Sequence, residues 1–295
     1  MNRHLRVMTF LLLAALTAIP APAGPAPGQI PAEDDSGLPE DLMAGLRRRS
    51  HLYRRAILRF SAREELLEEN VKPETGQLSS RHEAVYRYLL QIDPGELKVS
   101  EYRETLSRAG VPVRSSPAVL QTFMPPPYLW ATLFASENES LFRYRLLRPE
   151  RRGVTDTLVI AFDGLLAFDL GNRPAEWSGR IWVDRDRLVP LHLEAEPARQ
   201  EEILEAQMAR YRKAFRLGGL RLRSRPTAHV LSVEFLVSRF GLSFPSQSIW
   251  KRQVLDLDGS RLTTRYIRHR YLDYRFINVR TDEILGEVLQ EESGS

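Results

Sequence analysis

The chain contains no cysteine in 295 residues. That excludes disulfides, a cysteine nucleophile, thiolate-bound zinc and cysteine-ligated iron–sulfur clusters. In an exported protein it also leaves stability to the packed core alone. Lysine is nearly as scarce: among 42 basic residues only Lys72, Lys98, Lys213 and Lys251 are lysines, and the rest are arginine. Acidic residues number 38, for a formal net charge of +4. A balance this close gives no dominant field to gather an anionic polymer, so the arginine bias reads as coding bias, and no nucleic-acid partner is expected.

Signature motifs of chemistry are missing as well. There is no Gly-x-Ser-x-Gly elbow, no Ser-x-x-Lys, no phosphate-binding loop and no dinucleotide fingerprint. His51, His82, His192, His229 and His269 are scattered without metal-ligand spacing. The carboxylate pairs Glu64-Glu65, Glu68-Glu69, Asp184/Asp186 and Asp256/Asp258 read as solvated faces and turns rather than as an acid/base couple. The expectation is a non-enzymatic protein with no metal and no cofactor.

What is present begins with the first 23 residues, MNRHLRVMTFLLLAALTAIPAPA. Arg3 and Arg6 form a basic start, Val7 to Ile19 an apolar run too short to span a bilayer comfortably, and Ala21-Pro22-Ala23 a small-x-small cleavage pattern. The reading is a signal peptide cleaved after Ala23, the alternative being an uncleaved anchor. Later segments lack an apolar run long enough to cross a membrane, so a soluble periplasmic protein is expected. Residues 24–36, rich in proline, glycine and acid, read as a flexible leader, residues 37–290 as one domain, and 291–295 as a disordered tail.

Within that domain, Leu38-Pro39-Glu40-Asp41 opens a short helix ending near Arg47-Arg48-Arg49. Strands are expected from His51 to Glu65, over Glu83–Ile92, and over Glu96–Glu104 after an Asp93-Pro94-Gly95 turn. The prolines of 110–135 point to two short helices, Val119–Phe123 and Tyr128–Phe134. Strands resume at Ser140–Arg148 and Asp156–Asp163, and a hairpin spans Ser178–Glu194. Leu204, Met208, Tyr211 and Phe215 stripe an amphipathic helix over 201–216. Three strands follow, Ala228–Phe240, Ser246–Leu257 and Arg261–Phe276, the last two joined at Asp258-Gly259. Hairpins around a few helices give the α+β class: a strongly curved antiparallel β-sheet, an incomplete barrel, with helices covering the concave side.

The block Trp177-Ser178-Gly179-Arg180-Ile181-Trp182-Val183-Asp184 with Leu188-Val189-Pro190-Leu191, the segment Gly241–Ser246 and the stretch Tyr271–Phe276 resemble the LolA-like exported half-barrel family, the superfamily of periplasmic lipoprotein carriers. The resemblance implies an incomplete barrel closed by helices over an apolar cavity that shelters an acyl chain or other lipid, and no catalytic site. On that footing Trp130, Phe134, Phe162, Phe168, Trp182 and Phe244 are the candidate cavity-lining residues; the plainer reading is that they fill a core. The expected function is binding of a lipid or other apolar ligand in cell-envelope handling. The alternative is a periplasmic interaction module with a filled core that docks an envelope protein partner. The basic stretch Arg261, Arg265, Arg268, His269, Arg270 and Arg275, interleaved with Tyr266, Tyr271, Tyr274 and Phe276, reads as an exposed strand face.

Overall fold

A computed structural model describes residues 37–92, 99–117, 126–166, 176–216 and 225–277. All of them belong to one contact unit, Asp35–Ser295. The signal, leader and tail segments, the Asp93-Pro94-Gly95 turn, the Val119–Phe123 helix and Phe168 lie outside the described residues.

Helix α1 spans Glu40–Ala56, seven residues beyond the arginine cluster where its end was expected. Leu46, Leu52, Tyr53 and Ala56 are all buried. Their i, i+3, i+4 recurrence continues the apolar face through Arg47-Arg48-Arg49, and that face wins over the β-rich look of the following residues. Glu40 and Asp41 in the first turn and Arg54 and Arg55 in the last complement the helix dipole.

The strands then follow in order: β1 Arg59–Val71, β2 Leu78–Ile92, β3 Val99–Arg108, β4 Val111–Pro117, β5 Phe142–Leu146, β6 Glu150–Arg152, β7 Thr155–Leu165, β8 Glu176–Asp184 and β9 Pro190–Pro197. After helix α2 (Gln200–Arg216) come β10 Thr227–Glu234, β11 Val237–Arg239, β12 Leu242–Phe244, β13 Gln247–Leu255 and β14 Arg261–Phe276. Twelve strands form one sheet in the order β4-β3-β2-β1-β14-β13-β10-β9-β8-β7-β5, with β6 beside β7; β11 and β12 form a separate hairpin. Every pairing is antiparallel, and the two ends of the path do not meet. The sheet is open.

Strand β4 carries Pro112 and Pro117, residues that a central strand would not tolerate. It sits at the sheet's edge, where a missing N–H costs no ladder bond. Its hairpin with β3 turns on Ala109 and Gly110, both at positive φ, the backbone of a tight two-residue turn.

Contacts from one short segment show how the sheet bends. A 3-10 helix, Pro127–Thr132, places Tyr128 against Phe60 of β1 and Tyr88 of β2, while Trp130, two residues on, packs on Phe162 of β7 and Trp177 of β8. Strands β1 and β8 are five places apart in the sheet order, about 24 Å in a flat sheet. The sheet therefore curls so that distant strands reach the same segment. Helix α1 shares this core through Tyr53, which stacks on Phe244 of β12 at 5.0 Å.

Helix α2 is elsewhere. Leu204, Met208 and Tyr211 pack on Ala228 and Leu255. Ala228 alternates with Leu231 of the main core, so α2 lies on the opposite face of β10. The 201–216 helix, a candidate cover for the inner face, is instead a buttress on the outer one. No helix among the described residues is long and apolar enough to cross a membrane.

Candidate functional site

The segment Pro126–Ala135 is unusual in being buried at every residue while belonging to no strand. Pro126 and Pro127 set its entry and favour turns over ladder pairing. Its hold on the surroundings is mainly apolar, with a few polar ties. Tyr128 Oη donates to Glu101 Oε1 at 2.9 Å and Tyr144 Oη to the Leu133 carbonyl at 2.6 Å. Ser50 Oγ of α1 donates to the Ala131 carbonyl at 3.4 Å, and Asn138 Nδ2 to the Thr132 carbonyl at 2.8 Å. Trp130 Nε1 is buried without a partner.

Where this segment meets α1 and the β8–β9 turn lies a small apolar gap lined by Leu46, Tyr53, Phe134, Ile181, Val189 and Leu242, among others. It admits little more than a water-sized sphere, about 10 Å³. Tyr53, one of the lining residues, has its hydroxyl buried without a hydrogen-bond partner. Gly179, the glycine of the Trp177–Asp184 block, explains part of the geometry nearby. A Cβ there would collide with the Glu194 carbonyl and meet the tip of the Phe162 ring at 2.9 Å, so only glycine lets that ring lie against β8.

The expected lining residues divide. Trp130 and Phe162 touch at 5.8 Å, Phe142 joins them through Phe162, and Phe134 reaches the gap. Phe244 sits in a second aromatic group with Tyr53, Tyr274 and Phe276. These side chains fill the interior. Trp182 is on the other side of β8, facing away from Ile181 and Val183. There its Nε1 donates to Glu150 Oε2 at 2.8 Å, its ring lies 4.9 Å from His192, and Arg152 and Arg180 sit over its faces. His192 is held between Glu194 and Glu234, at 3.3 and 2.8 Å. Burial pulls the imidazole's pKa down, but the two carboxylates outweigh it and leave it raised.

A second buried group was not foreseen from sequence. Glu64 of β1 is fully buried and accepts two hydrogen bonds from Arg103 of β3, at 2.6 and 3.2 Å, and one from His269 Nδ1 of β14, at 2.8 Å. Burial alone would raise the Glu64 carboxyl; the Arg103 charge and the His269 hydrogen bond overcome that and hold it at about 2. Arg103 also lies 4.7 Å over the Tyr88 ring. Glu101 collects the hydroxyls of Tyr88 and Tyr128 on one oxygen. The signal was split in sequence: Glu64-Glu65 and Glu68 sat in one charge run, Arg265, His269 and Arg270 in another. The β1–β14 register joins them, with Arg265 on Glu68 at 2.8 Å and Arg270 on Glu65 at 3.3 Å. Arg265 and Arg270 of the basic stretch are thus paired by the neighbouring strand, and His269 and Tyr271, expected on an exposed face, are buried.

No family model matches the chain, and no curated protein matches it. Solved structures similar to it include a DUF1329 family protein from Desulfovibrio piger, at 11% identity and a TM-score of 0.37, covering 83% of this chain and 96% of that one. A LolA superfamily protein from Nitrosomonas europaea is similar at 13% identity and a TM-score of 0.33, covering 80% and 96%.

Proposed function

We propose that this is an exported, non-enzymatic periplasmic protein that binds a lipid or other apolar ligand on the inner face of its open sheet, in cell-envelope lipid or lipoprotein handling. The observation that carries the reading is the segment Pro126–Ala135. It is a wholly buried, mostly apolar piece of chain with no strand partner, packed into the same core as α1, and on this reading the two together cover the concave side. Such a segment stands where an acyl chain would lie. A ligand exchanging for it buries comparable apolar surface, so the exchange is near balance, whereas an empty cavity of that size would cost several kcal/mol. Trp130, Phe134, Phe162 and Phe244 are the residues the ligand would contact; Trp182, on the outer face, would not.

The absence of native cysteine makes a direct test simple. Ser50 and Ala131 touch across α1 and the segment, so a Ser50→Cys/Ala131→Cys pair should close a single disulfide that pins the segment down. Oxidised, the variant should take up no lipid from vesicles; reduced, it should match wild type. Equal uptake in both states would refute the exchange.

A specific observation favours a second reading. Among the described residues the expected lining side chains pack into the core, beside a gap of about 10 Å³. On that reading the chain is an interaction module whose exposed surface docks an envelope protein partner, and the reduced and oxidised forms both remain free of lipid.

A further inference from the structure

The inner face of the sheet carries a row of directly paired residues, Ile181–Leu193–Val233–Ser248–His269, running from β8 to β14. The first three are buried aliphatic core residues, and Ile181 also lines the gap beside α1. The last two break the pattern. Ser248 is 1% exposed and His269 2% exposed, and both Ser248 Oγ and His269 Nε2 lack a hydrogen-bond partner. Two neighbouring polar atoms left unmatched on an apolar face are costly unless something completes them.

Their chemistry narrows what that something is. Glu64 accepts from His269 Nδ1, so Nδ1 carries a proton and the orphan Nε2 presents its lone pair when the ring is neutral. Ser248 offers a hydroxyl that both donates and accepts. Arg103, the cation on Glu64, is held by both of its oxygens and faces Glu101 at 3.5 Å. Two carboxylates, Glu64 and Glu101, face this one guanidinium, so the group disfavours an anionic head and suits a neutral hydroxyl. The row from Ile181 to His269 crosses four strand spacings, about 19 Å, the scale of one extended long acyl chain.

We infer that Ser248 and His269 form the polar end of the ligand site and select a single-chain lipid with a neutral, hydroxyl-bearing head group, its tail lying along Val233, Leu193 and Ile181. This rests on the proposed lipid-binding function and adds the class of ligand. Glu64 acts as a positioning residue that fixes the His269 ring.

The test compares two probes of equal chain length, monopalmitoylglycerol and palmitate, titrated into the purified chain by calorimetry. Wild type should bind the glycerol ester at least tenfold tighter. Ser248→Ala, which removes the hydroxyl, should abolish the preference by weakening the ester at least tenfold; His269→Gln should reduce it. Palmitate binding as tightly as the ester, or a preference unmoved in Ser248→Ala, overturns the assignment and leaves the lipid-binding reading standing. If neither probe binds wild type, both fall.

Discussion

Replacing Glu64 by glutamine keeps the side chain's shape and removes its charge, which strips Arg103 of its main partner inside the core. The carboxyl is held at about 2 against an ordinary 4.5, a difference worth about 3 kcal/mol at neutral pH. Breaking buried pairs elsewhere costs about 3–5 kcal/mol, which agrees. In a domain of this size each kcal/mol moves the melting temperature by about 2–4 °C, so Glu64→Gln should melt roughly 6–12 °C below wild type. The sign with pH follows from the depressed pKa. The stabilisation is complete above the unfolded-state value near 4.5 and is lost as pH falls from there through about 2. The gap between wild type and Glu64→Gln should therefore be full at pH 7 and shrink steadily below pH 4.5. The double variant Glu64→Leu/Arg103→Met, which removes both charges, should recover much of the loss. Thermal unfolding followed by circular dichroism reads all of these. A Glu64→Gln protein within about 0.5 kcal/mol of wild type at pH 7, or a gap that does not change with pH, would refute the account of this cluster.

Further outcomes follow from other parts of the fold. Gly179→Ala should destabilise by at least about 2 kcal/mol in urea denaturation, because its methyl meets backbone that cannot yield. His192 should titrate above its ordinary value when followed by NMR, as both Glu194 and Glu234 face it. Its raised pKa stabilises the fold at pH below the unfolded-state value, and that contribution fades as pH rises through the folded one. Trp182→Leu should leave lipid uptake at wild-type level, whereas Trp130→Ala should change it; equal effects would contradict the division of the two tryptophans between faces.

Much of this architecture is legible in local sequence. The β8–β9 and β13–β14 hairpins and helix α2 carry their own periodicity and turn residues, so reading them needs no knowledge of distant contacts. What sequence hides is set by pairing at long range. Strand β1 meets β14 some 200 residues later, and only that register turns Glu64, a member of an apparently solvated charge run, into the buried partner of His269. The same holds for Ser248, an ordinary polar residue until β13 places it beside His269. Alternation correctly separates Trp182 from Ile181 and Val183, but which side is the interior depends on where α1 and the 126–135 segment settle. The face chosen by α2 was hidden for a like reason: its stripe shows that it packs, and the partner Ala228 shows where.

On the proposed function, lipid replaces buried chain on the inner face. Mass spectrometry of the protein, purified without detergent and measured under native and then denaturing conditions, tests this. The account predicts an adduct of lipid mass that is released on unfolding. A protein that carries no adduct and acquires none after incubation with lipid vesicles would contradict it.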